Sequence, residues 1–410
     1  MPHPAGPPSD PAREPAREPA PLTHRTVRDA AAGIAVLGVA NFVAITTEVL
    51  PVGLLPQVAR GVGVSESTAG LLVTVYAFVV AACAVPLTVA TRSLARKPLL
   101  LGTLVTYAAS NVLVAVAPSY AVVAGARVLG GLGHAIFFSV SIAYAARLVS
   151  PLYTGRALTL VTAGGTLGFV LGVPLSTSLG AAVGWRWSFG VLAAVCAVTA
   201  LLVARLLPSV AVEPAAPRDA EAARRGRARL GLVVGTNTVL FGGQYTVYTY
   251  ISVILLAAGL SEPAVGPALL VFGALGLVGL WGAARYLDRS PRALTIVAMA
   301  TIAVALVGVA LALPGAVGVL VAAGVWLAAF GAIPATFQAA ALRTQGATPD
   351  VAGAFVNATS NFGIGLGAAV GAAIVAGPGP RTLALAGAAI VAVALVAVLV
   401  ARQAFPRQAS

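Results

Sequence analysis

Few residues in this 410-residue chain could carry chemistry where they stand. Charged residues make up only 9% and hydrophobic residues 59%, with a mean hydropathy of +0.96. Against that background Glu48 lies deep in an apolar stretch. Arg127 lies in another, seven residues before His134. That separation puts Arg127 and His134 on one helix face, with Gly130 and Gly131 between them. An ionisable group inside a membrane span is a functional candidate by default, and imidazole titrates near neutral pH. A carboxyl, a guanidinium and an imidazole brought together there could take up and release a proton. Each has a plainer reading. Glu48 could snorkel to the outer surface or form a structural ion pair. Arg127 could lock its helix to neighbouring carbonyls, and His134 could be a satisfied polar group in helix packing.

A second group of residues could bind a solute. Asn237, Phe241, Gln244 and Tyr248 fall at offsets 0, 4, 7 and 11, one helical face of amides and aromatics, with Tyr245 and Tyr250 nearby. Asn357 and Asn361 share a face, and Asn41 lies one heptad before Glu48. Phe137, Phe138, Trp326, Phe330 and Gln338 add to the set. A cavity with such a lining suits a neutral, moderately polar, drug-sized molecule. Aromatic packing with interhelical amide hydrogen bonds is the alternative, and Trp326 reads as packing.

These residues need elements that span a bilayer. One helical span takes about 20 apolar residues. Apolar runs fall near 31–55, 67–90, 98–117, 120–148, 155–181 and 187–207, then 230–257, 263–286, 293–313, 316–342, 351–376 and 382–402. The expectation is an all-α integral membrane protein of twelve transmembrane helices. Residues 1–29, rich in Pro, Ala and charge, read as a disordered tail. Residues 30–207 form one six-helix bundle, 208–229 a basic linker, 230–403 a second bundle, and 404–410 a short tail. Basic residues crowd the tails, the linker and alternate loops. Only Arg60, Arg186 and Arg381 fall on the other side, and Arg127 lies within a span. The asymmetry predicts cytoplasmic termini.

It also accounts for the net charge of +13 without nucleic acid. Enzyme readings find no footing. The one lysine, Lys97, ends no phosphate-binding loop, no HExxH occurs, and no span pairs two carboxylates. Cys83 and Cys196 lie in apolar runs and offer no metal cluster. No cofactor is expected, and a monomer is.

The halves echo each other. Gly164, Gly168 and Gly172 in the fifth span repeat as Gly363, Gly367 and Gly371 in the eleventh. Both are ladders that let helix backbones approach closely in lipid. Arg92, Arg96 and Lys97 after the second span match Asp288, Arg289 and Arg292 after the eighth. Internal repeats of this kind are what alternating-access carriers are built from.

Several stretches carry a family resemblance. They are Thr46 to Pro56, Arg127 to Ala135 with its arginine and glycine face, Gly164 to Pro174, and Gly184 to Phe189. Thr246–Tyr250 and Asn357 to Gly363 add to them. The chain resembles the major facilitator superfamily, and within it the twelve-span drug:proton antiporters, most closely the chloramphenicol-resistance and sugar or nucleoside efflux proteins. The resemblance implies two pseudo-symmetric six-helix bundles in a bacterial inner membrane. It implies export of an amphiphile such as chloramphenicol in exchange for protons. Export of sugars or nucleosides is the alternative, and a non-transporting receptor a more distant one. Glu48, Arg127 and His134 would then couple the proton. Arg92, Arg96, Lys97, Asp288, Arg289 and Arg292 would act at a cytoplasmic gate. One departure stands out: Thr91-Arg92 occupies the place where the family's first loop carries an aspartate.

Overall fold

Each apolar run becomes a helix in the computed structural model, which describes residues 26–91, 93–209, 220–287 and 289–405. The spans are α1 (Ala31–Val62), α2 (Glu66–Ala90), α3 (Arg96–Val116), α4 (Tyr120–Arg147), α5 (Thr154–Val183) and α6 (Trp185–Leu206). The second half holds α7 (Gly226–Ala257), α8 (Glu262–Tyr286), α9 (Pro291–Ala312), α10 (Ala316–Arg343), α11 (Val351–Val375) and α12 (Pro380–Val400). Side chains such as Leu311, Val304, Val317 and Val400 stay exposed on the outer surface, where lipid replaces water. With twelve spans among the described residues, the start of α1 and the end of α12 lie on one face, here called the terminal face. The other is the far face. Arg92 and Asp288 lie outside the described residues.

The glycine ladders find their partners within each half. Gly164, Gly168 and Gly172 of α5 pack against Gly38, Phe42 and Thr46 of α1. Gly363, Gly367 and Gly371 of α11 pack against Thr238, Gly242, Thr246 and Tyr250 of α7. In both cases a four-residue ladder meets a four-residue ridge, so the backbones approach along their length. A Cβ on Gly164 would collide with the backbone of Gly38, which cannot move aside. In α5 the ladder ends in a π-helical turn, Gly168–Gly172, just before Pro174. Pro174 cannot donate to the carbonyl four residues back, and the widened turn absorbs the interruption.

A second symmetric device clamps the peripheral helices. Lys97, the second residue of α3, donates to the carbonyls of Ala204 (2.9 Å) and Leu207 (2.6 Å) at the end of α6. Arg186, the second residue of α6, donates to Ala117 O (2.9 Å) just past α3. The other half repeats this. Arg292 of α9 donates to Leu399 O (2.7 Å) and Phe405 O (3.2 Å), and Arg381 of α12 donates to Leu313 O (2.6 Å). A cation is unfavourable at its own helix N-terminus. Each of these reaches instead to the negative C-terminal end of an antiparallel neighbour. This explains why Arg186 and Arg381 sit on the less basic face.

The two bundles meet toward the far face. Ser252 Oγ of α7 donates to Val52 O of α1 at 2.9 Å, and Thr74 of α2 donates to Gly365 O of α11 at 3.2 Å. Gly266 and Gly273 of α8 lie against Pro174, Ser178 and Val170 of α5. At the rim Arg60 pairs with Glu262 at 2.5 Å, across the two halves.

Two outcomes follow. Gly164→Leu should destabilise the purified protein by about 1–3 kcal/mol, the usual cost of overpacking. Gly102→Ala, whose methyl meets open space within α3, should not lower the thermal midpoint and should raise it slightly. Glu262→Ala should raise maleimide labelling of a Gln57→Cys reporter, on a background lacking Cys83 and Cys196, by about two- to fivefold, the range an exposed ion pair supplies. The swap Arg60→Glu/Glu262→Arg should return labelling to its starting level.

Candidate functional site

The site is built on an interruption in α1. Pro51 and Pro56 lie within that helix. A helical proline leaves the carbonyl four residues earlier without its usual donor. Pro51 frees Thr47 O and Pro56 frees Val52 O. In a membrane such groups need a partner inside the protein. Ser252 takes Val52 O from the other half. Arg127 takes Thr47 O through Nη1 at 2.7 Å, and Glu48 O through Nη2 at 2.7 Å. Its Nε reaches Leu72 O of α2 at 3.5 Å. Arg127 is thus fixed by backbone carbonyls of two helices, and it is 1% exposed.

The Glu48 side chain points elsewhere. Its Oε2 lies 3.5 Å from His134 Nε2, and the side chain retains 13% exposure. His134 is completely buried. Its other nitrogen, Nδ1, lies 2.9 Å from the Tyr76 hydroxyl. The Arg127 guanidinium sits 4.0 Å over the centroid of the Tyr76 ring, a cation–π contact. Tyr76 therefore bridges the arginine and the histidine. It fits because Gly130 and Gly131 present no side chain: a Cβ on Gly130 would lie 3.1 Å from Tyr76 Cε2, and one on Gly131 would lie 2.9 Å from Tyr76 O. The rings of Tyr107 and Phe138 flank the imidazole edge-on at centroid distances of 6.2 and 5.0 Å.

Across from this cluster the second half presents aromatics. Phe241 stacks on Tyr245 with centroids 6.2 Å apart and meets Phe330 edge-on at 5.6 Å. Tyr248 stacks on Phe169 of α5 at 5.4 Å, joining the halves, and touches Trp326. Tyr245 of α7 lies in the neighbourhood of Glu48. Trp326 donates its indole N–H to Gln244 Oε1 at 2.6 Å, leaving Gln244 Nε2 buried without a partner.

Among the other candidates, Asn41 and Asn237 hydrogen-bond from one helix to another. Asn41 donates to Leu37 O and to Ser141 Oγ of α4 at 2.8 Å. Phe137 is buried in the first bundle against Tyr107. Asn237 donates to Val356 O, Thr359 Oγ1 and Ser360 Oγ of α11, and its Oδ1 has no partner. Asn361 donates to Asn357 within α11. Gln338 approaches Gly353 toward the terminal face. Among the loop residues, Lys97 and Arg292 bind within their own halves, as described above. Arg96 begins α3, and Arg289 is exposed beyond α8. Sequence reasoning did not single out Tyr76, since a tyrosine in an apolar run carries no mark. The paired glycines opposite it were the available signal.

Residues 37–353 match the family model described as Major Facilitator Superfamily. The chain belongs to the major facilitator superfamily. It is therefore a multi-pass membrane protein of a transporter family, not of an enzyme family. A chloramphenicol efflux pump of Mycobacterium tuberculosis is 37% identical over 279 residues, 66% of this chain and 66% of the pump, just under two thirds of its length. A probable sugar efflux transporter of Mannheimia succiniciproducens is 30% identical over 364 residues, 88% of this chain and 92% of that protein. Among solved structures, a D-xylose–proton symporter superposes with a TM-score of 0.71 at 17% identity, covering 93% of this chain and 99% of that one. A bacterial homologue of the lysosomal transporter Spinster, inward-facing and unoccupied, gives 0.70 at 14% identity, with 91% and 96% covered. Both share this superfamily's fold of two six-helix bundles.

The grip of Arg127 on Thr47 O yields a double-mutant test. Arg127→Leu should destabilise the protein, because it strands a buried carbonyl. In the Pro51→Ala background the restored N–H can satisfy Thr47 O. The loss there should be smaller by about 1–3 kcal/mol, the cost of one unsatisfied buried group. Equal losses in both backgrounds, read by thermal or denaturant unfolding in detergent, would dismiss the proline–arginine link.

Proposed function

We propose that this chain exports a neutral, aromatic amphiphile of the chloramphenicol kind in exchange for protons. It would do so by alternating access in a bacterial inner membrane, with both termini cytoplasmic. The observation that carries the reading is the largely buried Glu48–His134 pair, 3.5 Å apart within the membrane-spanning region. Of the chain's acidic residues, Glu48 alone lies in the interior of one of the twelve spans. An uncoupled carrier has no need of a carboxyl there, at a cost of a few kcal/mol on insertion scales. The aromatic set of Phe241, Tyr245, Tyr248 and Phe330 suits a flat ring. The packing of the halves at the far face fits a carrier closed on that side. The relationship to a chloramphenicol efflux pump agrees with this substrate class.

In the cycle, substrate enters from the cytoplasm while Glu48 is ionised. It leaves on the far side, and a proton taken up there by Glu48 resets the carrier. Exchange of a neutral solute for one proton moves one charge, worth about 2.3 kcal/mol per 100 mV, roughly a fiftyfold gradient. Export of a sugar or nucleoside is the second reading. It rests on the unpartnered amide atoms of Gln244 and Asn237 and on the relationship to a probable sugar efflux transporter.

Inside-out vesicles acidified by respiration test both readings, with a pH-sensitive dye in the lumen. Chloramphenicol should alkalinise the lumen of wild-type vesicles and leave Glu48→Gln vesicles unchanged. A response to a pentose or nucleoside alone selects the second reading. A Glu48→Gln response equal to wild type removes Glu48 from the coupling, and silence toward every compound removes both substrate classes.

A further inference from the structure

His134 is held at both ends by groups of different kinds. Nε2 faces a carboxyl oxygen 3.5 Å away and has no hydrogen-bond partner in this structure. Nδ1 faces a hydroxyl at 2.9 Å. A neutral imidazole carries one donor and one acceptor, and which nitrogen carries the hydrogen is set by its neighbours. A phenol can donate or accept. A carboxylate only accepts, whereas a carboxylic acid donates. With the imidazole kept neutral, the line Glu48–His134–Tyr76 can therefore be paired along its length with a carboxylate or with a carboxylic acid at its end, and the two arrangements differ by one proton on Glu48.

We infer that Tyr76 and His134 form a tautomer-switching proton relay that holds Glu48 in both of its protonation states. The inference rests on the reading of Glu48 as the proton site. With Glu48 ionised, Nε2–H donates to the carboxylate and Nδ1 accepts from the Tyr76 hydroxyl. Uptake of one proton from water reverses the line. The hydroxyl hydrogen of Tyr76 passes to Nδ1, the Nε2 hydrogen passes to Glu48, and the proton taken up replaces the one Tyr76 gave; Tyr76 is 1% exposed here, so that uptake belongs to the state of the cycle open on the far side. Tyr76 and His134 are neutral before and after, and only Glu48 changes charge. Tyr76 is a positioning residue at rest and a carrier during the transfer. The other groups around the line are Tyr107 from α3, Arg127 from α4 itself, Cys196 from α6 beyond Asn111, and Tyr245 from α7. Arg127 takes no part in the exchange, because its nitrogens are committed to the carbonyls of Thr47, Glu48 and Leu72.

The chain has only three histidines, so the switch can be read directly. Full-length protein carrying His3→Gln and His24→Gln, labelled with ¹⁵N-histidine and placed in liposomes, reports His134 alone. The ring nitrogens should show the Nε2–H form at high pH and the Nδ1–H form at low pH, without a doubly protonated stage. Glu48→Gln should abolish the pH response. Tyr76→Phe keeps the ring beneath Arg127 and removes only the hydroxyl. It should freeze the tautomer and slow chloramphenicol-driven proton movement by about tenfold, the rate equivalent of one buried group left unpaired. Chloramphenicol affinity should change by less than about twofold, since the aromatic set is untouched. A wild-type ring that stays in one tautomer, or that becomes doubly protonated, overturns the relay. So does a Tyr76→Phe protein that keeps the wild-type switch. These results are independent of the vesicle assay. If proton movement depends on Glu48 while the ring stays static, the relay alone fails. If no substrate moves protons, the export reading fails whatever the ring does.

Discussion

Inside a bilayer a backbone carbonyl without a donor is expensive, and α1 carries two prolines that each create one. The rest of the site follows from how those carbonyls are satisfied. Thr47 O draws in Arg127 from α4, and Val52 O draws in Ser252 from the other half. Burying a guanidinium is itself costly unless its donors are used. Arg127 directs its nitrogens to three carbonyls and rests its plane on Tyr76. The Glu48 carboxyl is thereby left without a direct ion pair to the arginine, and it turns to His134. A carboxyl clamped in a tight bidentate pair would resist a change of charge. One held by an adaptable imidazole is freer to make it.

Close approach is the second constraint. The halves reach it by the same route, with α5 laid on α1 and α11 laid on α7 through ladders of three glycines. Hydrophobic burial supplies no drive between helices in lipid, so backbone proximity and hydrogen bonds must hold them. The four basic clamps, Lys97, Arg186, Arg292 and Arg381, do the same at the rims. They use the partial negative charge of a neighbour's helix end. This placement gives Arg186 and Arg381 a structural reason to depart from the basic face, as the pair with Glu262 does for Arg60.

Much of this was legible in the residue pattern, and the exceptions share a cause. The twelve apolar runs mark the spans to within a few residues, because bilayer thickness fixes their length. The α1 run reads as ending near residue 55, yet the helix continues to Val62. Its prolines look like breaks until partners for their carbonyls are known, and those partners lie far away in sequence. The helix that opens α7 begins at Ala220, inside the stretch that composition marks as linker, since arginine favours helix as readily as it marks a loop. The glycine ladders announce that something packs there without saying what. Likewise Asn41 and Asn237 read equally as pocket or tie, and only the positions of Ser141 and Ser360 decide which hydrogen bonds they make. What a one-dimensional pattern lacks is the identity of the residue opposite, and Tyr76 is the clearest case.

The arrangement also places the steps of transport on one short stretch of chain. Glu48, the carbonyl held by Arg127 and the carbonyl held by Ser252 lie within six residues of α1. At 1.5 Å of rise per residue, Glu48 and Val52 are separated by about 6 Å along the axis, roughly one turn. A change of charge at Glu48 therefore acts on the helix that carries the contact between the halves, one turn away. No long pathway of coupling is required, since a tilt of α1 would move both together. The two prolines leave this segment with fewer of its own hydrogen bonds than a regular helix has. Its geometry then depends on Arg127 and Ser252, partners outside the helix, one in each half. In the proposed cycle that makes residues 47–56 the element whose position both protonation and closure can bias, which is the physical requirement for coupling one to the other.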